Sequence, residues 1–354
     1  MNLDNPVHCR HVAALRRRGL MLWICFSSAM TMARHLDGTL DLIQTPHNGQ
    51  PALVVPGGAF TIMATQKGPV SLVGADGTIA LQPAWQAAAG ERWQASCPLP
   101  PTVSPGMYAL QMRGNDRTDV NLRAVYVYAQ FPEFYAFGHV TDMHIGSQRG
   151  GINSAARNTA IFSALNKTDV AFVVVTGDLT DGAGIEQFKQ LLQVLDTCRH
   201  PTFVCPGNHD REGEGYERYF GPLAYCFTLG RDGYLAFDTK DYYIADEWSS
   251  QDGDLCRFRR ELNPCRFTFG LTHRYDPSMG MRSQLILFVD NPLTHLFMGH
   301  THRENKPGEK RVQWGTTPYT MTPAAISGKY RIVDVTAQGP SPRPTQSVTA
   351  TTEP

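Results

Sequence analysis

Five short polar clusters stand along the chain, and each directly follows an apolar run typical of a buried strand. The clusters contribute carboxylates, imidazoles and one amide, and these side chains suit zinc, manganese and iron. Seven such ligands are too many for one ion, but they suit two ions that share a bridging carboxylate. The candidate metal ligands are Asp142, His144, Asp178, Asn208, His273, His300 and His302.

Ordinary turn chemistry is the alternative explanation for each cluster taken singly. Asp142-x-His144 and His300-x-His302 would face one side of an extended strand end, whereas a loop could spread them over two metals. A lone aspartate or histidine at a strand end is usually a helix cap, a turn residue or a satisfied core residue. Five clusters after five apolar runs are hard to obtain from unrelated turns, so the sequence favours a metal centre.

The elements that must position these residues alternate between strand and helix. Apolar runs at 136–140, 170–175 and 202–205 predict strands, and the apolar spacing in 153–165 and 185–195 predicts helices. This β-α-β-α-β order predicts an α/β domain with buried strands. Ligands bind at the carboxyl ends of strands in open α/β folds, which is where the polar clusters stand.

The regions on either side of this domain differ from it in apolar spacing and residue composition. Residues 38–131 show short apolar runs separated by turn signals and no long helical period, which predicts a small antiparallel β-sandwich domain. Residues 340–354 are rich in Pro, Ser and Thr, which predicts a disordered tail.

The N-terminus has the order of a secretory signal peptide. Three arginines, 16–18, precede an apolar run from Leu20 to about Ala33, and small residues follow the apolar centre. About 14 apolar residues are too few for a spanning helix, which needs about 20. We therefore predict that residues 1–33 are a signal peptide and that the protein is periplasmic or secreted. The alternative is an N-terminal extension on a cytoplasmic protein.

The net charge indicates which classes of binding partner are disfavoured, and the cysteine count indicates whether disulfides are possible. The formal net charge is zero, so no basic excess favours nucleic acid or an anionic membrane surface as the main partner. Cleavage after Ala33 would leave six of the eight cysteines, and an even number in an exported chain allows disulfides. Cys256 and Cys265 could close a short loop, but two free thiols explain them equally well.

The order of the polar clusters resembles that of the calcineurin-like metallophosphoesterase family. The family pattern is Asp-x-His, Gly-Asp, Gly-Asn-His-Asp/Glu, a single His and Gly-His-x-His. The chain matches it with Asp142-Met143-His144, Gly177-Asp178, Gly207-Asn208-His209-Asp210, His273 and Gly299-His300-Thr301-His302. The resemblance covers residues 134–335 and implies a four-layer α/β/β/α sandwich with a dinuclear centre between its two sheets.

The resemblance also implies a role for each residue. The first metal would be held by Asp142, His144, Asp178 and His302, and the second by Asp178, Asn208, His273 and His300. The two ions, divalent or trivalent Mn, Fe or Zn, would acidify a bridging water, and the resulting hydroxide would attack the phosphorus of a small phosphoester. His209 would protonate the leaving oxygen, and Asp210 would hydrogen-bond His209 and fix its tautomer.

The implied function is therefore that of a dinuclear-metal phosphohydrolase, either a phosphodiesterase or a phosphomonoesterase. The Gly177–Gly182 stretch and Arg211 are most similar to the bacterial class III cyclic-nucleotide phosphodiesterase branch. Asp181 stands where purple acid phosphatases place a tyrosine, which disfavours that branch. A non-catalytic scaffold on the same fold is the alternative, although all seven ligands and His209 are present. Residues 212–254 are expected to form the rim that selects the substrate. This segment carries Tyr216, Tyr219, Tyr242 and Tyr243, which either contact the substrate or only pack the rim.

Overall fold

A computed structural model describes residues 38–213, 215–238, 254–274, 293–306, 308–312 and 316–349. The predicted signal peptide and two of the four rim tyrosines, Tyr242 and Tyr243, lie outside these residues. None of the helices in the described ranges is long and apolar enough to cross a membrane.

Nine strands occupy residues 43–127 and form two sheets. The first sheet has the order β1-β3-β7-β6, with β1 Ile43–Thr45, β3 Ala59–Ala64, β6 Ala84–Ala88 and β7 Arg92–Pro98. The second has the order β2-β9-β8-β4-β5, with β2 Ala52–Val54, β4 Val70–Gly74, β5 Gly77–Ala80, β8 Gly106–Arg113 and β9 Thr118–Val127. Both sheets contribute to one hydrophobic core. The antiparallel prediction fails for β2, which pairs parallel with β9.

The chain then builds a six-stranded mixed sheet that presents the first polar clusters. Its order is β14-β13-β10-β20-β21, and β22 pairs with β20. The strands are β10 Tyr135–Val140, β13 Phe172–Thr176, β14 Thr202–Cys205, β20 Lys329–Thr336, β21 Gly339–Pro342 and β22 Gln346–Ser347. β10, β13 and β14 run parallel, so their carboxyl ends meet at one edge of the sheet. Strands were predicted at each of these three positions, and they are confirmed.

A five-stranded sheet presents the remaining clusters. It has the order β15-β16-β17-β18-β19, and β16 to β19 run parallel. The strands are β15 Ala224–Leu229, β16 Asp232–Phe237, β17 Phe267–Leu271, β18 His295–Met298 and β19 Tyr319–Met321. A short hairpin, β11 Gln148–Arg149 with β12 Ile152–Asn153, precedes the first helix.

Helices cover the outer faces of the two large sheets. The helices are α1 Ser154–Leu165, α2 Ile185–Asp196, α3 Gly215–Phe220 and α4 Asp254–Leu262. α2 buries Phe188, Leu191, Leu192 and Leu195, an i, i+3, i+4, i+7 stripe that packs on the six-stranded sheet. Phe258 and Leu262 of α4 pack on the five-stranded sheet. A third core joins the two sheets, with Phe172 and Phe297 among its aromatic rings.

The prediction of a disordered tail is wrong over residues 340–349. β21 and β22 in this segment pair antiparallel with β20. Arg343 binds the Asp334 carboxylate with Nε at 2.8 Å and Nη2 at 2.6 Å, which fixes the segment across β20. Prolines are tolerated here because the segment lies at a sheet edge, where one side of the strand has no neighbouring strand and needs no hydrogen-bond donor.

The cysteines in the described residues are free thiols. Cys97, Cys198 and Cys205 are buried, and Cys226 and Cys265 are half-buried. Of the two alternatives for Cys265, the free thiol is the one found. The Cys256 side chain lies outside the description.

Candidate functional site

The loops after β10 and β13 run side by side where the polar clusters begin. The Asp142 amide donates to the Gly177 carbonyl at 3.0 Å, and the His144 amide donates to the Asp178 carbonyl at 2.9 Å. The parallel register of the two strands therefore continues past their ends. This pairing brings the first two predicted clusters together.

Five of the seven predicted ligands have left-handed backbone conformations. Their φ angles lie between 47° and 71°, a region that side chains other than glycine seldom adopt. Each such residue costs about 1–2 kcal/mol. Concentrated strain of this kind is typical of functional sites, because surrounding contacts hold the backbone against its preference. The five residues are Asp142, His144, Asp178, His300 and His302.

A first group of ligand atoms forms around Asp142. His302 Nε2 lies 3.1 Å from Asp142 Oδ1, and His144 Nε2 lies 3.2 Å from His302 Nε2. Asp142 Oδ1 is buried and makes no hydrogen bond of acceptable geometry within the described part of the chain. A buried carboxylate oxygen without a donor, facing two imidazole nitrogens, fits a bound cation by its chemistry.

A second group forms around Asp178. His273 Nε2 lies 3.0 Å from Asp178 Oδ2, and His300 Nδ1 lies 3.3 Å from His273 Nε2. The same Asp178 Oδ2 is 3.8 Å from His144 Nε2 of the first group. One carboxylate oxygen therefore lies between the two groups of donors.

In each of two predicted ligands, hydrogen bonds determine which imidazole nitrogen faces the site. The Nδ1 atom of His273 lies 2.9 Å from the Thr176 carbonyl oxygen, which can only accept, so Nδ1 carries the proton. Nδ1 of His144 lies 3.1 Å from a carboxylate oxygen of Asp181 and donates in the same way. Both rings thus turn an Nε2 atom toward the site, as metal-ligating histidines do.

Charge and burial oppose each other in this cluster. Burial lowers the pKa of His273, but the Asp178 carboxylate outweighs it and raises that pKa to about 9. Burial raises the pKa of Asp142, but the His302 and His273 imidazoles outweigh it and lower that pKa. The carboxylates therefore stay ionised in a buried site, which is what a cation needs.

His209 occupies the open side of the cluster. Its side chain is 41% exposed, and its Nε2 lies 4.0 Å from Asp178 Oδ2. Its Nδ1 lies 2.7 Å from the carbonyl oxygen of Asp181 and must donate to it. Burial lowers the pKa of His209, but this carbonyl and the Asp178 carboxylate raise it overall.

The predicted hydrogen bond between His209 and Asp210 is wrong. Asp210 is fully buried and points the other way, accepting from the backbone amides of Leu179, Thr180 and Gly207 at 2.8–3.0 Å. The carbonyl oxygen of Asp181 fixes the His209 tautomer instead. The short 3₁₀ helix that holds Asn208–Asp210 explains this, because consecutive side chains on it diverge.

Asp210 has a structural task in place of the predicted one. It joins the turn after β13 to the turn after β14, and the turn after β13 carries Asp178. Burial and the nearby Asp178 carboxylate raise its pKa to about 6, while the three amide donors act in the opposite direction. Asp210 thus positions Asp178 without contacting His209.

Glycines make the close approach of these loops possible. A Cβ on Gly207 would lie 2.1 Å from the Asp178 amide nitrogen, and one on Gly299 would lie 1.8 Å from Thr141 Oγ1. Gly177 has φ of +78°, and a Cβ there would lie 2.5 Å from the His273 Cβ. The glycines of the sequence clusters are therefore required by contact within the site.

Asn208 begins the 3₁₀ helix that also carries His209, and its side chain is exposed. The next amide, that of His209, donates to Asp178 Oδ1 at 3.0 Å. The residue after Asn208 is thus hydrogen-bonded to the carboxylate that lies between the two groups, and the side-chain amide of Asn208 stays a predicted ligand.

Two residues of the site had no sequence signal strong enough to predict their roles. Asp181 contacts His144 through its side chain and His209 through its carbonyl. His139 is buried in β10, beneath the ligands. The sequence signal for a role of His139 was the position of a histidine inside an apolar strand.

Comparison with known proteins agrees with this geometry. Residues 135–304 match the family model described as calcineurin-like phosphoesterase. The match covers just under half of the chain, and this part of the chain is similar to that family. The chain is accordingly a metal-dependent phosphoester hydrolase.

Similar proteins carry phosphodiesterase names. A probable cyclic nucleotide phosphodiesterase from Fibrobacter succinogenes is 25% identical over 187 residues, which are 47% of this chain and 72% of that protein. The glycerophosphodiester phosphodiesterase GpdQ of Enterobacter lignolyticus is 36% identical over 100 residues, 27% of this chain and 35% of that one. Among solved structures, purple acid phosphatase PPD1 from yellow lupin (Lupinus luteus) seeds has a TM-score of 0.49 and 12% identity, covering 78% of this chain and 67% of that one.

Proposed function

We propose that this chain is a phosphodiesterase that hydrolyses small phosphodiesters with two metal ions and His209 as general acid. The observation that carries the proposal is the position of Asp178 Oδ2, which lies 3.0 Å from His273 Nε2 and 3.8 Å from His144 Nε2. A single carboxylate oxygen between two donor groups suits a bridging ligand. The names of the similar proteins support a diester as the substrate.

The proposed ligand sets follow the two groups. Asp142, His144, Asp178 and His302 would hold one ion, and Asp178, Asn208, His273 and His300 would hold the other. Nitrogen and carboxylate donors favour Mn, Fe or Zn. Bound ions would acidify a water molecule and neutralise charge on the phosphoryl oxygens.

The residues of the chain would then bind the ester and move the proton. Because Nδ1 of His209 donates to the Asp181 carbonyl, the proton available to a substrate is on Nε2. The Asp181 carbonyl and the Asp178 carboxylate raise the pKa of His209, which favours this protonated form. Exposure of 41% leaves the ring accessible to a leaving oxygen.

The proposal includes the arrangement of the whole chain. Helices α1 to α3, the six-stranded sheet, the five-stranded sheet and α4 would form a four-layer α/β/β/α sandwich, supported by the core that joins the two sheets. Residues 38–131 would form a β-sandwich domain before it. The arginine-apolar N-terminus supports export to the periplasm or beyond, with residues 1–33 removed.

The test is hydrolysis by the purified protein after chelation and metal addition. Bis-p-nitrophenyl phosphate and p-nitrophenyl phosphate are compared before and after Mn²⁺ is restored, with Asp178→Asn as the matched variant. We expect Mn²⁺-dependent cleavage, faster on the diester, and loss of most bound metal in Asp178→Asn. Faster cleavage of the monoester would contradict the diester assignment. A folded wild type that binds no metal and cleaves neither substrate would favour the scaffold alternative.

A further inference from the structure

The strand that leads to Asp142 carries a buried histidine between the two large sheets. His139 has no exposed surface, and its ring lies edge-on to the Phe297 ring with centroids 5.6 Å apart. The layer around it is built from aromatic and aliphatic side chains. A polar ring in such a layer is costly unless its nitrogens are hydrogen-bonded.

The hydrogen bonds of His139 join one sheet to the other. Nε2 lies 2.8 Å from the hydroxyl of Thr176, the last residue of β13 in the six-stranded sheet. Nδ1 lies 2.8 Å from the hydroxyl of Thr322, which directly follows β19 in the five-stranded sheet. Burial lowers the pKa of His139 to about 3, so the ring is neutral, with one nitrogen donating and the other accepting.

Each end of this tie stands next to a predicted metal ligand. The Thr176 carbonyl accepts from His273 Nδ1 at 2.9 Å, and Thr176 is two residues before Asp178. The Thr322 amide donates to the Met298 carbonyl at 3.1 Å, and Met298 is two residues before His300. Because the ligands come from both sheets, their separation depends on how the sheets are held at this level.

We propose that His139 is a positioning residue that sets the separation of the two metal-ligand groups by tying Thr176 to Thr322. The role rests on the proposed two-metal function. In this role the buried His139 ring affects metal binding in addition to contributing to the core. Residues that orient metal ligands from outside typically change metal affinity by about 10–100-fold when they are replaced.

A matched pair of threonine substitutions separates this role from general destabilisation. Thr322→Val removes the hydroxyl at one end of the tie and keeps the side-chain shape. Thr320→Val removes an equivalent hydroxyl two residues away, which lies 2.8 Å from His295 Nε2. That second pair lies within the five-stranded sheet, between β18 and β19, and does not join the sheets. His139→Gln tests the ring itself.

The readouts are Mn²⁺ affinity for each site and the electron paramagnetic resonance spectrum of the loaded protein, in which neighbouring Mn²⁺ ions are spin-coupled. We expect Thr322→Val and His139→Gln to weaken binding of the second Mn²⁺ by about tenfold or more and to alter the coupled spectrum. Thr320→Val should retain both properties. Equal affinities and spectra in Thr322→Val and Thr320→Val would overturn the positioning role.

Two further outcomes keep the result interpretable. If Thr322→Val does not fold by circular dichroism, Thr322→Ser retains the hydroxyl and is measured instead. Wild-type binding in that variant supports the tie, and weakened binding overturns it. A wild-type protein that binds no second Mn²⁺ would contradict the proposed two-metal function itself, and the positioning role would fall with it.

Discussion

At the scale of single residues, His209 and Asp210 show how neighbours in sequence take different tasks. His209 faces the open side of the site, with its Nδ1 proton on the Asp181 carbonyl. Asp210 is buried and accepts three backbone amides on the other side of the turn. The proposed proton donation and the backbone support therefore fall to adjacent residues whose side chains form hydrogen bonds with different partners.

His209→Ala should remove proton donation and leave metal binding intact. We expect a rate loss of about 10²–10⁴-fold, the usual scale for general acid catalysis. The loss should be larger for an alkyl phosphodiester than for a p-nitrophenyl ester, since p-nitrophenolate leaves without a proton. Kinetics on a matched pair of diesters, with metal content measured alongside, check this. An equal loss on both esters would indicate that His209 positions the phosphate instead.

The residues of the candidate site were predictable because most of the clusters combine metal-binding side chains with glycines after an apolar run. The role of Asp210 was not predictable, because the direction of its side chain depends on the 3₁₀ turn and on amides 30 and 31 residues earlier. Asp181 contributes its backbone carbonyl to His209, and a carbonyl leaves no trace in residue type. The residue list could therefore be predicted more fully than the hydrogen bonds.

At the scale of elements, the strands lead to the predicted ligands and carry polar groups that contact them. β10, β13 and β14 were predictable from continuous apolar runs, as expected for strands covered on both faces. β21 and β22 were not, because their Pro, Ser and Thr composition matches a disordered tail. Their order comes from partners on β20, such as the Asp334 carboxylate that binds Arg343. Pairing across a sheet edge is invisible in local composition.

A buried histidine on β10, His139, and a half-buried one on β18, His295, predict a loss of stability in acid. Burial lowers the pKa of His139 to about 3 and of His295 to about 4, below the usual value of 6.5. The unfolded chain therefore binds protons at these histidines at pH values where the folded chain does not. The free energy of unfolding falls as the pH drops below about 6.5. Each histidine contributes a slope of up to about 1.4 kcal/mol per pH unit.

Urea unfolding between pH 6.5 and 4.5 measures this slope. His139→Gln cannot titrate, so its free energy of unfolding should decline less steeply with falling pH than that of the wild type, by up to about 1.4 kcal/mol per pH unit. The comparison of slopes cancels the constant cost of the substitution. Parallel slopes would mean that His139 is protonated in the folded protein.

At the scale of the whole molecule, the N-terminal strands β1 to β9 are joined to the strand that precedes His209. The Val204 amide of β14 donates to the Gly49 carbonyl at 2.9 Å, which extends the six-stranded sheet by one bridge at Phe203. Asn48 Nδ2 donates to Asp196 Oδ1 at 2.8 Å, and the Tyr128 hydroxyl donates to the Ala171 carbonyl at 2.7 Å. These contacts favour a supporting role for the N-terminal strands.

Gly49→Ala should weaken the catalytic half of the chain through this junction. A Cβ on Gly49 would lie 2.6 Å from Phe220, and φ there is +120°. Gly57 also has a positive φ, of +78°, but a Cβ there would meet only the Pro101 Cβ at 3.8 Å, so Gly57→Ala is the matched control. We expect Gly49→Ala to lower the free energy of unfolding by about 1–3 kcal/mol more than the control, the usual range for overpacking.

Because β14 leads directly to Asn208, Mn²⁺ affinity should fall with stability in Gly49→Ala and stay unchanged in Gly57→Ala. Thermal melts and Mn²⁺ titrations of the two variants decide the matter, and equal behaviour would show that the N-terminal strands do not support the site.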